Sequence, residues 1–271
     1  MPVPRTLVTR PESEAAPWVA ALQARGLRAQ ALPLIAIAAP TDAAAQQALH
    51  TARQHIARYD AVMVVSGNAA QHFFDQKTAL ALSGCAQAAI KTRVWAPGPG
   101  TARTLQALGL DAACIDQPAA DAVQFDSEAL WAQVQGQITP GARVLIVRGA
   151  QAGDAPAGSG RDWLAQQLRT AGAAVDWVAA YTRAAPQWTP AQHALAQQAA
   201  SDGTLWLLSS SQALAHLCAA LPQQDWARAR ALATHPRIAQ AAHAAGFGAV
   251  HECRPALDDV SAAIASIESL A

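Results

Sequence analysis

Ala61-Val-Met-Val-Val-Ser-Gly-Asn-Ala69 carries the plan of the whole chain. Its first five residues are all apolar. A strand with one wet face would alternate with polar residues, so this run reads as a strand buried on both faces. Ser66-Gly67-Asn68 ends it, and serine is a residue type that caps a helix start. The order predicted is strand, short turn, helix. Working outward, the order recurs. Upstream, Thr6-Leu-Val-Thr9 is a short strand stopped by Arg10-Pro11. A helix is predicted from Glu12 to Arg25, with Ala15, Trp18, Val19 and Leu22 at helical spacing and Gly26 as its stop. An extended run from Ala29 to Ala39 follows, then a helix from Thr41 to about Tyr59. Downstream, Arg93-Val-Trp-Ala96 passes through Pro97-Gly-Pro-Gly100 into a helix from Thr101 to Leu108, closed by Gly109. Strands alternating with helices predict an α/β fold with mostly parallel sheets.

The second half repeats the first. Leu7-Val-Thr-Arg10 matches Leu145-Ile-Val-Arg148, and Leu34 to Pro40 matches Val178 to Pro186. Val64-Val-Ser66 matches Leu207-Leu-Ser209, and Pro99-Gly-Thr-Ala102 matches Pro236-Arg-Ile-Ala239. Offsets of similar size, in register, predict an internal duplication. The expected architecture is two related three-layer α/β lobes.

Length and composition fit two lobes. The chain has 271 residues, about two domains' worth, and 52% are hydrophobic, enough to fill two cores. Lys+Arg and Asp+Glu are 19 each. No basic excess exists to hold a nucleic-acid backbone, so a nucleic-acid partner is not expected. Of the cations only Lys77 and Lys91 are lysine; the rest are arginines, whose planar forks suit carboxylates and phosphates. The four cysteines stand singly, with no C-x-x-C, and are read as reduced thiols of a cytoplasmic protein. No secretory leader or membrane span is read in the chain.

In open α/β sheets, ligands bind beyond the carboxyl ends of the strands. The junctions there are Arg10-Pro11, Ser66-Gly-Asn68, Gly98-Pro-Gly-Thr101, Arg148-Gly149 with a loop to Arg161, Ser209-Ser-Ser211 and His235-Pro-Arg237. Serine and threonine at such places cap helices, and the free N–H groups beside them can also receive an anion. The loop from Gly149 to Arg161 reads either as a tolerated insertion or as a lid. Tyr181 reads either as a core aromatic or as a proton donor with a partly wet hydroxyl. His50, His55 and His72 read as surface or helix residues. No metal motif, phosphate loop or serine-hydrolase elbow is present, so no cofactor is expected.

Taken in order, these motifs resemble the uroporphyrinogen-III synthase family over nearly the whole chain. They are Leu7-Val-Thr-Arg-Pro11, the run ending Leu32-Pro-Leu-Ile35, Val65-Ser-Gly-Asn-Ala69, Gly98-Pro-Gly-Thr-Ala102, Leu145-Ile-Val-Arg-Gly149, Val178-Ala-Ala-Tyr-Thr-Arg183 and Leu208-Ser-Ser-Ser211. The resemblance implies two α/β lobes joined by a two-stranded linker, with the active site in the cleft between them. Lobe one would be residues 1–37 and 184–271, lobe two 38–183, and the linkers about 34–40 and 178–186. The implied activity is that of a lyase of tetrapyrrole (haem) biosynthesis. Linear hydroxymethylbilane loses water without a cofactor, ring D is inverted through a spiro intermediate, and the macrocycle closes as uroporphyrinogen III.

Carried over position by position, the resemblance implies Tyr181 as a proton donor. It implies Arg10, Ser66, Asn68, Thr101, Arg148, Ser209 and Ser211 as binders of the polycarboxylate, and Arg237, in a loop outside the family pattern, is a further candidate for a carboxylate. The second Gly-Pro-x-Thr-Ala motif departs from the pattern, appearing as His235-Pro-Arg-Ile-Ala239. The chain is expected to act as a monomer in the cytoplasm, with the enzyme that forms hydroxymethylbilane as a candidate partner. A rival reading of the same features is a non-enzymatic two-lobe binding protein for a small polyanion. A nucleotide-sugar transferase with two Rossmann-like lobes would need clearer nucleotide signals and a longer chain.

Overall fold

The apolar runs build two separate sheets in the computed structural model, which describes residues 5–75, 78, 91–119, 127–151 and 163–269. The chain divides into two units, Met1–Ile37 with Ala184–Ala271, and Ala38–Arg183. In the first, β1 (Thr6–Val8), β2 (Ala29–Ala31), β9 (Leu205–Leu208), β10 (Arg230–Ala233) and β11 (Ala249–Glu252) form a sheet in the order β11-β10-β9-β1-β2. All its strand pairs are parallel.

Both faces of this sheet are covered. Leu7, Trp206, Leu208, Ala231 and Ala233 face one core with residues of α7 (Pro190–Ala199), α8 (Ser211–Ala220) and α9 (Pro236–Ala244). The alternating set Val8, Leu205, Leu207 and Leu232 faces a second core with α1 (Glu12–Gln23) and α10 (Leu257–Ser269). The two-residue period of a strand is what sorts these side chains into two layers.

The second sheet runs β3-β8-β7-β4-β5-β6, from β3 (Ala36–Ala38), β4 (Ala61–Val64), β5 (Arg93–Trp95), β6 (Ile115–Asp116), β7 (Arg143–Gln151) and β8 (Ala174–Ala184). Ala61, Met63, Trp95, Val144 and Ile146 pack against α5 (Ser127–Val134) and α6 (Trp163–Thr170). The opposite face, with Val62, Val64, Leu145 and Val147 all buried, lies toward α2 (Ala43–Gln54), α3 (Gly67–Phe73) and α4 (Pro99–Ala107).

Matching β1 and β2 to β7 and β8, and β9–β11 to β4–β6, makes the two strand orders the same apart from β3, an added edge strand of the second sheet. The repeated motifs are the sequence trace of that shared order. The predicted helix from Thr41 to Tyr59 is shorter than expected. Asp42 caps it, its carboxylate accepting from the Ala45 N–H at 2.8 Å, and a 3-10 turn, Ile56–Arg58, replaces its last part. The extended run from Ala29 to Ala39 is two strands in different sheets, not one.

Candidate active site

Each sheet has one place where its strand order reverses. In the second unit the chain leaves β4 toward β5 and β6, but leaves β7 toward β8, so the reversal lies between β4 and β7. Helices diverge to opposite faces at such a point, leaving a crevice beyond the carboxyl ends. Ser66 follows β4, Gly149 lies on β7 and Tyr181 on β8, so all three come to this edge.

Ser66 holds extended backbone, with φ −164°, and caps α3 by accepting from the Ala69 N–H at 3.1 Å. Its Oγ is also 3.4 Å from the Tyr181 hydroxyl. That hydroxyl accepts a 2.8 Å hydrogen bond from Arg183, and the tyrosine ring lies 5.7 Å from the His72 ring. The proton-donor reading expects Tyr181 to be partly wet, but it is only 1% exposed. Its surroundings are polar nonetheless: a serine, a guanidinium and an imidazole.

A β-bulge explains why Tyr181 faces this way. Arg148 pairs with Ala179, but Gly149 pairs with Tyr181, so Ala180 is an extra residue on β8. One extra residue turns every following side chain to the other face. Trp177, before the bulge, packs with the α5–α6 core, and Arg148 lies over its ring at 4.4 Å. Tyr181, after it, turns to α3. Arg148 and Tyr181 therefore lie on opposite faces of the sheet edge.

His72 reads from the sequence as an ordinary helix residue, and the structure brings it to Tyr181. Burial first, and then the Arg53 guanidinium, push its imidazole below the usual 6.5. Arg53 donates to the carbonyl oxygens of both His72 and Phe73, at 2.6 and 2.8 Å. A depressed imidazole takes up a proton more readily when unfolded. Its contribution to stability is therefore complete above about pH 6.5 and is lost as pH falls from there toward the lower folded value. The melting temperature should drop as pH falls below about 6.5, and His72→Phe should flatten that slope. Parallel slopes for the two proteins in thermal melts would remove His72 as the cause.

Asn68 is buried on α3, and Thr101 is buried at the start of α4. Gly98 caps α4 with no side-chain hydrogen bond.

The first unit's reversal lies between β1 and β9. Arg10 follows β1, but it is engaged by its own helix. It donates to Glu14 at 3.1 Å and lies 4.3 Å over the Trp18 ring. After β9 the equivalence with Ser66 shifts by one residue. β4 and β9 match with an offset of 144, from Ala61 to Leu205, rather than the 143 that the motifs suggest. The cap on α8 is Ser210, whose Oγ accepts from the Ala213 N–H at 3.3 Å. Ser209 therefore lies between the strand and the cap, and Ser211 is the first helical residue. Among the described residues, Thr6 Oγ1, Arg10 Nε and Ser211 Oγ are buried without a hydrogen-bond partner; the last two lie at the carboxyl edge, and Thr6 at the opposite end of β1.

In the altered motif, His235 takes over the cap of α9, its Nδ1 accepting from the Arg237 N–H at 3.1 Å. Arg237 itself is exposed. The lid reading falls mostly outside the described residues, since its segment beyond Gln151, up to Arg161, is not among them. Burial pushes the Cys253 thiol up to about 11, so it stays protonated at neutral pH and is a poor nucleophile. Among the described residues, no group of three or more His, Cys, Asp or Glu could hold a metal, and no helix is long and apolar enough to cross a membrane.

A family model described as HEM4, uroporphyrinogen-III synthase HemD, matches residues 16–260. Among solved structures, the fold is similar to a mutant uroporphyrinogen III synthase from Thermus thermophilus. That match has 15% identity and a TM-score of 0.52, and covers 98% of each chain. It is also similar to the uroporphyrinogen-III synthetase of Helicobacter pylori, with 13% identity and a TM-score of 0.56, covering 90% of this chain and 93% of that one. At these identities the two structures speak for the α/β fold alone.

Proposed function

The chain belongs to the uroporphyrinogen-III synthase family, and from that membership we propose how its own residues serve the reaction. The activity is a lyase step of tetrapyrrole biosynthesis, in which hydroxymethylbilane loses water and closes to uroporphyrinogen III. The observation that carries it is the family match over residues 16–260.

Departure of water from the hydroxymethyl carbon is helped by a proton delivered to the leaving oxygen. We assign that role to the Tyr181 hydroxyl, which donates well and is a poor base when neutral. The azafulvene so formed is attacked by the terminal ring to give the spiro intermediate. The ring inverts, and the proton released as the pyrrole rings regain aromaticity balances the one Tyr181 gave. The substrate's eight carboxylates need donors. Arg148, Ser66, Asn68 and Thr101 in one unit, and Arg10, Ser209, Ser211 and Arg237 in the other, are the residues proposed to meet them. The buried Arg10 Nε and Ser211 Oγ support this, since polar atoms left without a protein partner at a strand's carboxyl edge suit an incoming carboxylate. The reading extends to a monomeric, cytoplasmic enzyme that takes its substrate from the enzyme forming hydroxymethylbilane.

The test is to supply hydroxymethylbilane without added metal or nucleotide and separate the product isomers. Mainly type III product is expected. An isomer ratio equal to that of the protein-free control would refute the activity and favour the binding-protein rival.

The two arginines should differ. Arg148 is held only by stacking on Trp177 among the described residues, whereas the charge of Arg10 is already shared with Glu14. A charge-assisted pair is worth roughly 1.5–3 kcal/mol, so Arg148→Ala should lower kcat/KM about ten- to a hundred-fold. Arg10→Ala should cost about tenfold or less, because its present ion pair offsets part of the gain. The reverse ranking would move the main anchor to the other unit.

A further inference from the structure

Tyr181 stands where it does because a neighbouring position has no side chain. A Cβ built on Gly149 would lie 2.5 Å from Tyr181 Cε2 and 2.9 Å from its hydroxyl oxygen, and would collide with Cζ as well. The backbone there is not left-handed, so the glycine is needed for space rather than for conformation. The bulge at Ala180 turns the phenol toward this face of β7, and the missing Cβ lets the far end of the ring come up against that strand. At the ring's far end, Arg183 donates to the phenol oxygen at 2.8 Å. Tyr181 and Arg183 are two apart on one strand, so their side chains share a face.

A guanidinium can only donate, so Arg183 occupies an acceptor position on the phenol oxygen. The tyrosine's own hydrogen must then point away from Arg183. Ser66 Oγ is 3.4 Å from the same oxygen, too far for a strong hydrogen bond. The hydroxyl is thus fixed in place and direction, while its proton stays lightly engaged.

We propose that Gly149 and Arg183 are positioning residues for the reaction: Gly149 clears the space that the Tyr181 ring occupies, and Arg183 holds the phenol oxygen so that its hydrogen points away from the guanidinium for transfer. This rests on the reading of Tyr181 as proton donor. Neither residue touches the reacting atoms; both act through the phenol.

The experiment is a double-mutant cycle in kcat with hydroxymethylbilane as substrate. Displacing a reacting group by about 1 Å can cost roughly a hundredfold, so Gly149→Ala should lower kcat by about tenfold or more, with little change in KM. In a Tyr181→Phe background, adding Gly149→Ala should lower kcat no further, because the group being positioned is already gone. Additive losses would overturn the Gly149 role. If Gly149→Ala fails to fold, adding Tyr181→Ala removes the clashing ring and should restore folding; no restoration would also overturn it. Arg183→Met should slow kcat by about fivefold or more, and Arg183→Lys, which keeps a donor, should recover most of that. Full kcat in Arg183→Met would overturn the Arg183 role. A slow Tyr181→Phe beside normal Gly149→Ala and Arg183→Met enzymes would sink this proposal and leave the donor reading standing. A fully active Tyr181→Phe would sink the donor reading itself.

Discussion

Tyr181→Phe is expected to slow kcat by roughly 10- to 1000-fold, within reach of what a positioned general acid contributes. The substitution keeps the ring in its space at Gly149 and beside His72, and removes only the hydroxyl. Substrate carboxylates would still be bound, so KM should change little. The residual product should stay mostly type III, because the shape imposed on the bound chain, not the proton, directs ring inversion. Stability should also move. The phenol oxygen is the acceptor for an Arg183 donor, and a hydrogen bond to a charged group is worth roughly 1.5–3 kcal/mol. Arg183 is only half-buried and can turn to water, so about 1 kcal/mol is the expected loss. Parallel measurement of single-turnover rate, isomer ratio and thermal midpoint separates these effects. A full rate would end the proton-donor role. A collapsed fold would mean that Tyr181 is chiefly a core aromatic.

Strand and helix order was legible in the sequence because it is written in local terms. Buried strands are unbroken apolar runs such as Ala61–Val64, and helix ends carry glycines, such as Gly26 and Gly246, that take up positive φ. The site was legible only as residue types at strand ends. Ser66 and Tyr181 do meet, as their positions at two carboxyl edges allowed. The face on which they meet was hidden, because it depends on one extra residue, Ala180, that has no signature of its own. The same kind of one-residue slip hid Ser210 behind its two serine neighbours, since a motif match cannot tell which serine of three falls at the cap. Two features could have been read. Arg183 lies two positions from Tyr181 on a strand, and Glu14 lies four from Arg10 at the start of a helix, a spacing that pairs opposite charges. His72 and the clearance at Gly149 are tertiary facts, set by how α3 and β8 pack on β7.

Gly248→Ala should show the opposite pattern, a large loss of stability with little effect on the chemistry of molecules that remain folded. A Cβ on Gly248 would overlap the carbonyl oxygen of Ala227 and lie 2.8 Å from its carbonyl carbon. The obstacle is backbone, so no side chain can rotate to relieve it. The Gly248 N–H is bonded to the Trp226 carbonyl at 3.2 Å, which ties the two segments together at the point of collision. Either segment could move only by disturbing what it supports. Trp226 stacks on Phe247 with centroids 5.0 Å apart and meets Trp206 edge-on at 5.8 Å, so the shift would open the α7–α9 core. It would also pull on the pairing of β10 with β11, which starts at Arg230 and Ala249. Overpacking costs typically about 1–3 kcal/mol, and a backbone clash with no rotamer escape belongs at about 3 kcal/mol or above. For a unit of this size that is a fall of about 10 °C in Tm. Tyr181 and Gly149 belong to the other unit, so kcat at low temperature, corrected for the folded fraction, should be close to that of the parent enzyme. A thermal midpoint within about 1 °C of the parent would show that the loop from Ala227 to Arg230 yields easily, and that Gly248 is not the constraint its geometry indicates.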